Sequence, residues 1–165
     1  MSSLSIRPAT LADAWSLAGI YNHYVRHTIV TFEEEPLSTK LMEARINAVR
    51  SHSLPWLVAE NRDGVVGYAY AGQFKDRAAY RYCVETTVYL GHGREGHGIG
   101  TRLYSELLEA LRAQGVRTAV GLIALPNAPS VTLHEKLGFQ HTGTLQGVGF
   151  KLDRWIDVGY WQKVL

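Results

Sequence analysis

The chain carries a single cysteine, Cys83, in 165 residues. That excludes an intramolecular disulfide, and no group of cysteines and histidines has the spacing of zinc ligands, so no metal is expected. An apolar run of the roughly 18 residues that a membrane helix needs is missing as well. The first ten residues, Met1 to Thr10, lack the charged-then-apolar order of an export signal, and a soluble, cytoplasmic protein is expected. Neither charge sign is in large excess: Lys and Arg total 17 against 15 Asp and Glu. The basic residues are scattered, which argues against nucleic acid or an anionic membrane surface as the main partner. Low-complexity segments, linkers and internal repeats are also absent. With 46% hydrophobic and 19% charged residues, residues 1–165 are expected to form one domain that buries about 70% of its unfolded surface.

Periodicity gives the order of elements. Ser5-Ile6-Arg7 reads as a short strand, and Thr10 precedes Asp13 with capping spacing. Ala14, Trp15, Ala18, Tyr21 and Val25 then recur at helical intervals. A second helix starts near Ser38, with Met42, Ile46 and Val49 on one face, and ends before Pro55. Trp56 to Glu60, Asn61 to Gly64 and Val65 to Tyr70 read as strand, tight turn and strand. Tyr80 to Leu90, rich in β-branched and aromatic residues, predicts one long strand. A helix follows over Ile99 to Gln114, closed by Gly115, then a strand over Thr118 to Ala124. A loop at Pro126 to Pro129, a short helix over Ser130 to Leu137, and strands near Phe139 to Leu145 and Ile156 to Val164 complete the chain. The pattern β-α-α-β-β-β-α-β-α-β-β predicts a single layered α/β domain.

Between the long strand and the third helix lies Gly91-His92-Gly93-Arg94-Glu95-Gly96-His97-Gly98-Ile99-Gly100-Thr101-Arg102. A strand, a glycine-rich loop and a helix N-terminus together form an anion site, since free backbone N–H groups and the helix dipole both favour negative charge. Phosphate is the first ligand to consider. A Walker loop would need Gly-Lys-Ser/Thr after its fourth spacer, but His97 follows Gly96 and Ile99 follows Gly98. A dinucleotide fingerprint would need a third glycine where Thr101 stands, and it would follow the first strand, not the fourth. A plain flexible connection remains the other reading of the loop by itself.

The flanking blocks narrow the choice. Gly96-His97-Gly98-Ile99-Gly100 after a β-rich segment, Asn127 after the next strand, and His134-Glu135-Lys136-Leu137-Gly138-Phe139 in the following helix resemble a GCN5-related N-acetyltransferase (GNAT). Tyr21 to Val25, Val30 to Glu33, Phe74 to Tyr80, Val84 to Tyr89, Leu125 to Ser130 and Val148 to Lys151 are similar to blocks of its phosphinothricin and methionine sulfone/sulfoximine branch. The resemblance covers nearly the whole chain. It implies an α/β (α+β) fold with a central mixed, mostly antiparallel sheet of about seven strands flanked by about four helices. It also implies acetyl-CoA as cosubstrate and a homodimer in which one pocket wall comes from the second subunit.

The resemblance further implies which residues act. Val88, Tyr89 and Leu90 would pair with the pantetheine arm, and Gly96, His97, Gly98, Ile99, Gly100 and Thr101 would cradle the pyrophosphate. Asn127 would touch the arm, and Lys136 would contact the cofactor unless it is a solvated helix residue. Glu95 stands where the family usually has Gln or Arg, which leaves Arg94 or Arg102 to supply nearby positive charge. Acyl transfer to an amine needs a base, an oxyanion donor and a proton for the thiolate. Glu85 matches the branch's base, the alternative being a strand carboxylate paired with Arg81. A backbone N–H near Tyr89 would hold the oxyanion. His134 occupies the position before the helix Glu and would act as acid or as an orienting group. Lys75, Asp76 and Arg77, with Glu85, Thr86 and Thr87, would enclose the acceptor, although charged loop residues ordinarily mean solvent. Phe32 and Glu33 would line the pocket, or else be core and part of a charge run. Cys83 raises an acyl-cysteine route, against a packed strand thiol.

The implied activity is direct transfer of an acetyl group, in a ternary complex, to the α-amine of a small amino-acid analogue of the phosphinothricin, methionine sulfone or methionine sulfoximine type. Alternatives are another amine or a peptide N-terminus as acceptor, or a non-catalytic acyl-CoA-binding regulatory domain.

Overall fold

The computed structural model describes residues 4–165. Seven strands, β1 (Ser5–Pro8), β2 (Trp56–Asn61), β3 (Gly64–Gln73), β4 (Cys83–Leu90), β5 (Thr118–Leu125), β6 (Gln140–Lys151) and β7 (Arg154–Val164), form one sheet in the order β1-β2-β3-β4-β5-β7-β6. All neighbours are antiparallel except β4 and β5. Four helices flank it: α1 (Ala14–His27), α2 (Thr39–Ser51), α3 (Ile99–Ala113) and α4 (Ala128–Lys136). The expected mixed, mostly antiparallel sheet and its helix count are both present.

Strand alternation sends successive side chains to opposite faces and so makes two cores. On one face Leu103, Tyr104, Leu107 and Leu111 of α3 are fully buried against Ala59, Ala69, Ala71 and Ala119. The small strand residues let the bulky helix approach closely. On the other face Trp56, Val58 and Tyr68 pack against Leu17, Tyr21 and Val25 of α1 and Met42 and Ile46 of α2. The Thr10–Asp13 cap forms as the spacing predicts, and Asp13 also accepts from Arg7 at 2.8 Å through both of its oxygens. This pairing holds the Asp13 carboxyl down at about 2.

Several boundaries differ from expectation. Ala78–Tyr80 form a 3-10 turn, so β4 begins at Cys83 and not at Tyr80; the alanine pair disfavours extended backbone, and Tyr80 N–H donates back to Arg77 O at 2.9 Å. Helix α4 begins at Ala128, because Asn127 Oδ1 caps it by accepting from Ser130 N–H at 3.2 Å and Pro129 tolerates the first turn. Strand β6 continues to Lys151 through an irregular stretch between Leu145 and Gly149, where Gly147 N–H donates to Asp157 Oδ1 at 2.8 Å. Trp15, expected on the buried stripe of α1, is 76% exposed.

Candidate active site

Strands β4 and β5 pair over only three positions, Cys83–Thr118, Val84–Ala119 and Glu85–Val120, and then diverge. The cleft between them has a volume of about 270 Å³ and is lined by Val30–Phe32, Glu85–Tyr89, Leu122–Ala124, Asn127, Ser130, His134 and Val158. Beyond Glu85, β4 turns unpaired backbone groups toward this space while its far side remains paired with β3 as far as Leu90. Val88, whose backbone groups face away from β3, therefore presents a free edge that a polar, extended ligand can complete. Tyr89, by contrast, is paired with Tyr68 of β3, and the Leu90 carbonyl, outside the cleft lining, accepts from the Tyr24 hydroxyl at 2.6 Å. Alternation places Glu85, Thr87 and Tyr89 on the α1 side, and Thr86, Val88 and Leu90 on the α3 side.

At one end of the cleft the glycine-rich loop meets α3. Gly98 is the residue before the helix and has φ +76, a left-handed conformation with no side chain capping the first turn. The N–H groups of that turn are free to bind an anion, and Gly96 to Thr101 surround them. The two arginines expected nearby are engaged elsewhere. Arg94 pairs with Asp63 at 3.0 Å, while Arg102 donates to Leu4 O at 2.8 Å and lies 3.5 Å from Glu106. Both guanidinium groups therefore already have partners within the protein. His97, Glu95 and Lys136 are exposed, and Lys136 does not line the cleft. Asn127 does line it, and because only its Oδ1 is used in capping α4, its amide N–H groups remain available to a ligand. In the lead-in, His92 stacks on His23 of α1 at 4.3 Å, tying the loop to that helix.

Glu85 is half-buried and forms no ion pair among the described residues. Burial raises its carboxyl above the ordinary carboxylate range, and Lys75 partly opposes the shift. Arg81, the partner considered from sequence, instead lies over the Tyr82 ring at 4.6 Å. Lys75, Asp76 and Arg77 are exposed and outside the cleft wall, whereas Thr86, Thr87 and Phe32 are part of it. Glu33 is turned away: its carboxylate accepts from Arg45 of α2 and from the Tyr21 hydroxyl. Cys83 lies at the closed end, opposite Thr118, outside the lining, with its thiol pushed up by burial. A thiol so placed does not suit an acyl-cysteine route.

His134 is 4% exposed and both ring nitrogens are engaged. Nδ1 lies 2.7 Å from Ser130 O, which can only accept, so Nδ1 carries the proton and neutral Nε2 accepts from the Tyr104 hydroxyl at 3.1 Å. Tyr104 in turn meets the Thr86 hydroxyl. Burial lowers the histidine's affinity for a second proton. The ring lies against bare backbone at Gly121, where a Cβ would be 2.5 Å from Nε2. Sequence reasoning missed Tyr104, which reads there as one more apolar helix residue. No cluster of three metal-binding side chains occurs among the described residues.

Residues 6–159 match the acetyltransferase (GNAT) domain family. The chain is 44% identical over 160 residues to phosphinothricin N-acetyltransferase of Streptomyces viridochromogenes, covering 97% of this chain and 87% of that protein. It is 36% identical to the L-methionine sulfoximine/L-methionine sulfone acetyltransferase of Pseudomonas aeruginosa, covering 97% and 94%. A Sinorhizobium meliloti phosphinothricin acetyltransferase, solved in complex with acetyl-CoA, superposes with a TM-score of 0.95 at 37% identity, covering 98% of this chain and 88% of that one. A splayed β4–β5 cleft opening onto an uncapped helix, in a chain matched along nearly its whole length, makes this protein an acetyltransferase of the GNAT family.

Proposed function

We propose that the protein transfers an acetyl group from acetyl-CoA to the α-amine of a small amino-acid analogue of the phosphinothricin or methionine sulfone/sulfoximine type, by direct transfer in a ternary complex. The observation that carries this reading is the cleft itself, with free strand edge and uncapped helix on the α3 side and a desolvated, unpaired Glu85 on the α1 side. Relatives at 44% and 36% identity named for those acceptors support the substrate class.

Acetyl-CoA supplies a thioester carbonyl that an amine can attack. Val88 and Asn127 would hold its arm, and the N–H groups of Gly96 to Thr101 its pyrophosphate. Glu85 takes one proton from the acceptor's ammonium, directly or through water, because an α-amine is largely protonated at neutral pH. A carboxyl raised by burial is better matched to that task than an ordinary one. A β4 backbone N–H near Tyr89 steadies the carbonyl oxygen as its charge grows. The C–N bond forms, the C–S bond breaks, and the amine's second proton leaves with the thiolate. His134, with both nitrogens held, serves by fixing Tyr104 and Thr86 against the cleft.

Leu145, Val148, Phe150, Leu152 and Trp155 are 48–72% exposed on the β6–β7 hairpin, close to Phe32. So much apolar surface in one place supports a homodimer with this face covered by a second copy. Thiol release from acetyl-CoA tests the activity. Phosphinothricin, methionine sulfone and methionine sulfoximine should each drive turnover, with intersecting initial-velocity lines. Turnover only with peptides or unrelated amines would overturn the acceptor class, and parallel lines would overturn direct transfer.

A further inference from the structure

Lys151, at the end of β6, is 4% exposed. A buried ammonium is costly unless its protons are taken up. Its Nζ donates to Thr31 O at 2.7 Å and lies 3.5 Å from Tyr24 O, in the last turn of α1, where the helix dipole favours a cation. Thr31 is the middle residue of the Val30–Phe32 strap that forms one wall of the cleft. The strap is held from its other side by the Tyr21 hydroxyl, 2.7 Å from Thr31 Oγ1. Two residues before Lys151, on the same face of β6, Gly149 lies under the Phe32 ring so closely that a Cβ would be 2.4 Å from it. The end of β6 thus fixes both the peptide of the strap and the ring it presents.

We propose that Lys151 and Gly149 are positioning residues that set the Val30–Phe32 strap and thereby determine which acceptors the cleft takes. The inference rests on the acetyl-transfer reading above and adds to it the element that controls acceptor choice. It places selection on a strand lying outside the strands that carry Glu85 and the proposed cosubstrate contacts.

Lys151→Met removes the donor while keeping the stem; Gly149→Ala leaves the ammonium and displaces the ring. Loss of a charged hydrogen bond should raise the acceptor KM about tenfold or more. The acetyl-CoA KM should stay within about twofold, since the α3 cradle is on the opposite face. Bulkier amines should gain relative to small amino acids, and Lys151→Arg should recover part of the loss. Hydrogen exchange in the free protein provides a readout independent of turnover: amides of residues 28–37 should exchange about tenfold faster in Lys151→Met, with those of α3 unchanged. Unchanged exchange in that segment, or acceptor and acetyl-CoA KM values rising together, would overturn the proposal. If the wild type acetylates no amine, the activity reading falls and exchange alone decides the role of Lys151.

Discussion

Replacing Gly121 with alanine would put a methyl group 2.5 Å from His134 Nε2 and 2.7 Å from its Cδ2. Ordinary carbon contacts begin near 3.5 Å, so the ring must retreat by about 1 Å. It is wedged between β5 and Tyr104, and the retreat stretches the 3.1 Å bond from the Tyr104 hydroxyl. Overpacking costs about 1–3 kcal/mol, and leaving the buried Nε2 without its donor costs a similar amount, while the Tyr104 hydroxyl keeps its bond to Thr86. A net loss of about 3 kcal/mol, at about 2–4 °C per kcal/mol for a chain this size, lowers Tm by about 6–12 °C. Calorimetry of wild type, Gly121→Ala, His134→Ala and the double variant would measure the coupling, because the alanine should cost less than about 1 kcal/mol once the ring is gone. A Tm within about 2 °C of wild type for Gly121→Ala, or the same penalty with and without His134, would refute the packing argument and the positioning part given to His134.

Two further outcomes follow from the cleft. Glu85→Gln should lower kcat about a hundredfold or more and abolish the acidic limb of the pH profile. It should not lower stability at neutral pH: the folded carboxyl binds its proton more tightly than the unfolded one, so the wild type loses stability as pH rises through that window, and Gln escapes the loss. Chemical denaturation across pH would show it. Gly98→Ala meets open space but must hold φ +76. A strain of about 1 kcal/mol there should raise the acetyl-CoA KM severalfold and leave the acceptor KM unmoved.

What could be read from the sequence was local. The α3 periodicity, the hairpin around Asn61 to Gly64 and the glycine before α3 are set by neighbours within a few residues, and each appears where expected. The candidate site was read from spaced motifs, because the order of strand, loop and helix fixes which backbone faces the cleft. What the sequence did not disclose is long-range. Arg94 and Arg102 looked available because Asp63 and Leu4 O, their partners, are 31 and 98 residues away. Lys151 is separated by 120 residues from the carbonyl it holds. Glu33, flanked by Glu34 and Glu35, gave no sign that Arg45 and Tyr21 would take its carboxylate. Trp15 has helical spacing but a phase that carries it just past the buried stripe.

The divergence of β4 and β5 after three paired positions has a consequence for the protein's persistence. Sheets normally confine their unpaired edges to the outside, where charge or a covering loop guards them. Here two raw edges face each other in the middle of seven strands, at the seam with the fewest paired positions. On the reading proposed above, an extended acyl donor lying between them would act as an eighth, removable strand. By mass action such a ligand at a hundred times its Kd adds about 2.7 kcal/mol to folding. On that reading the enzyme's folding stability would rise and fall with the concentration of its own acyl donor.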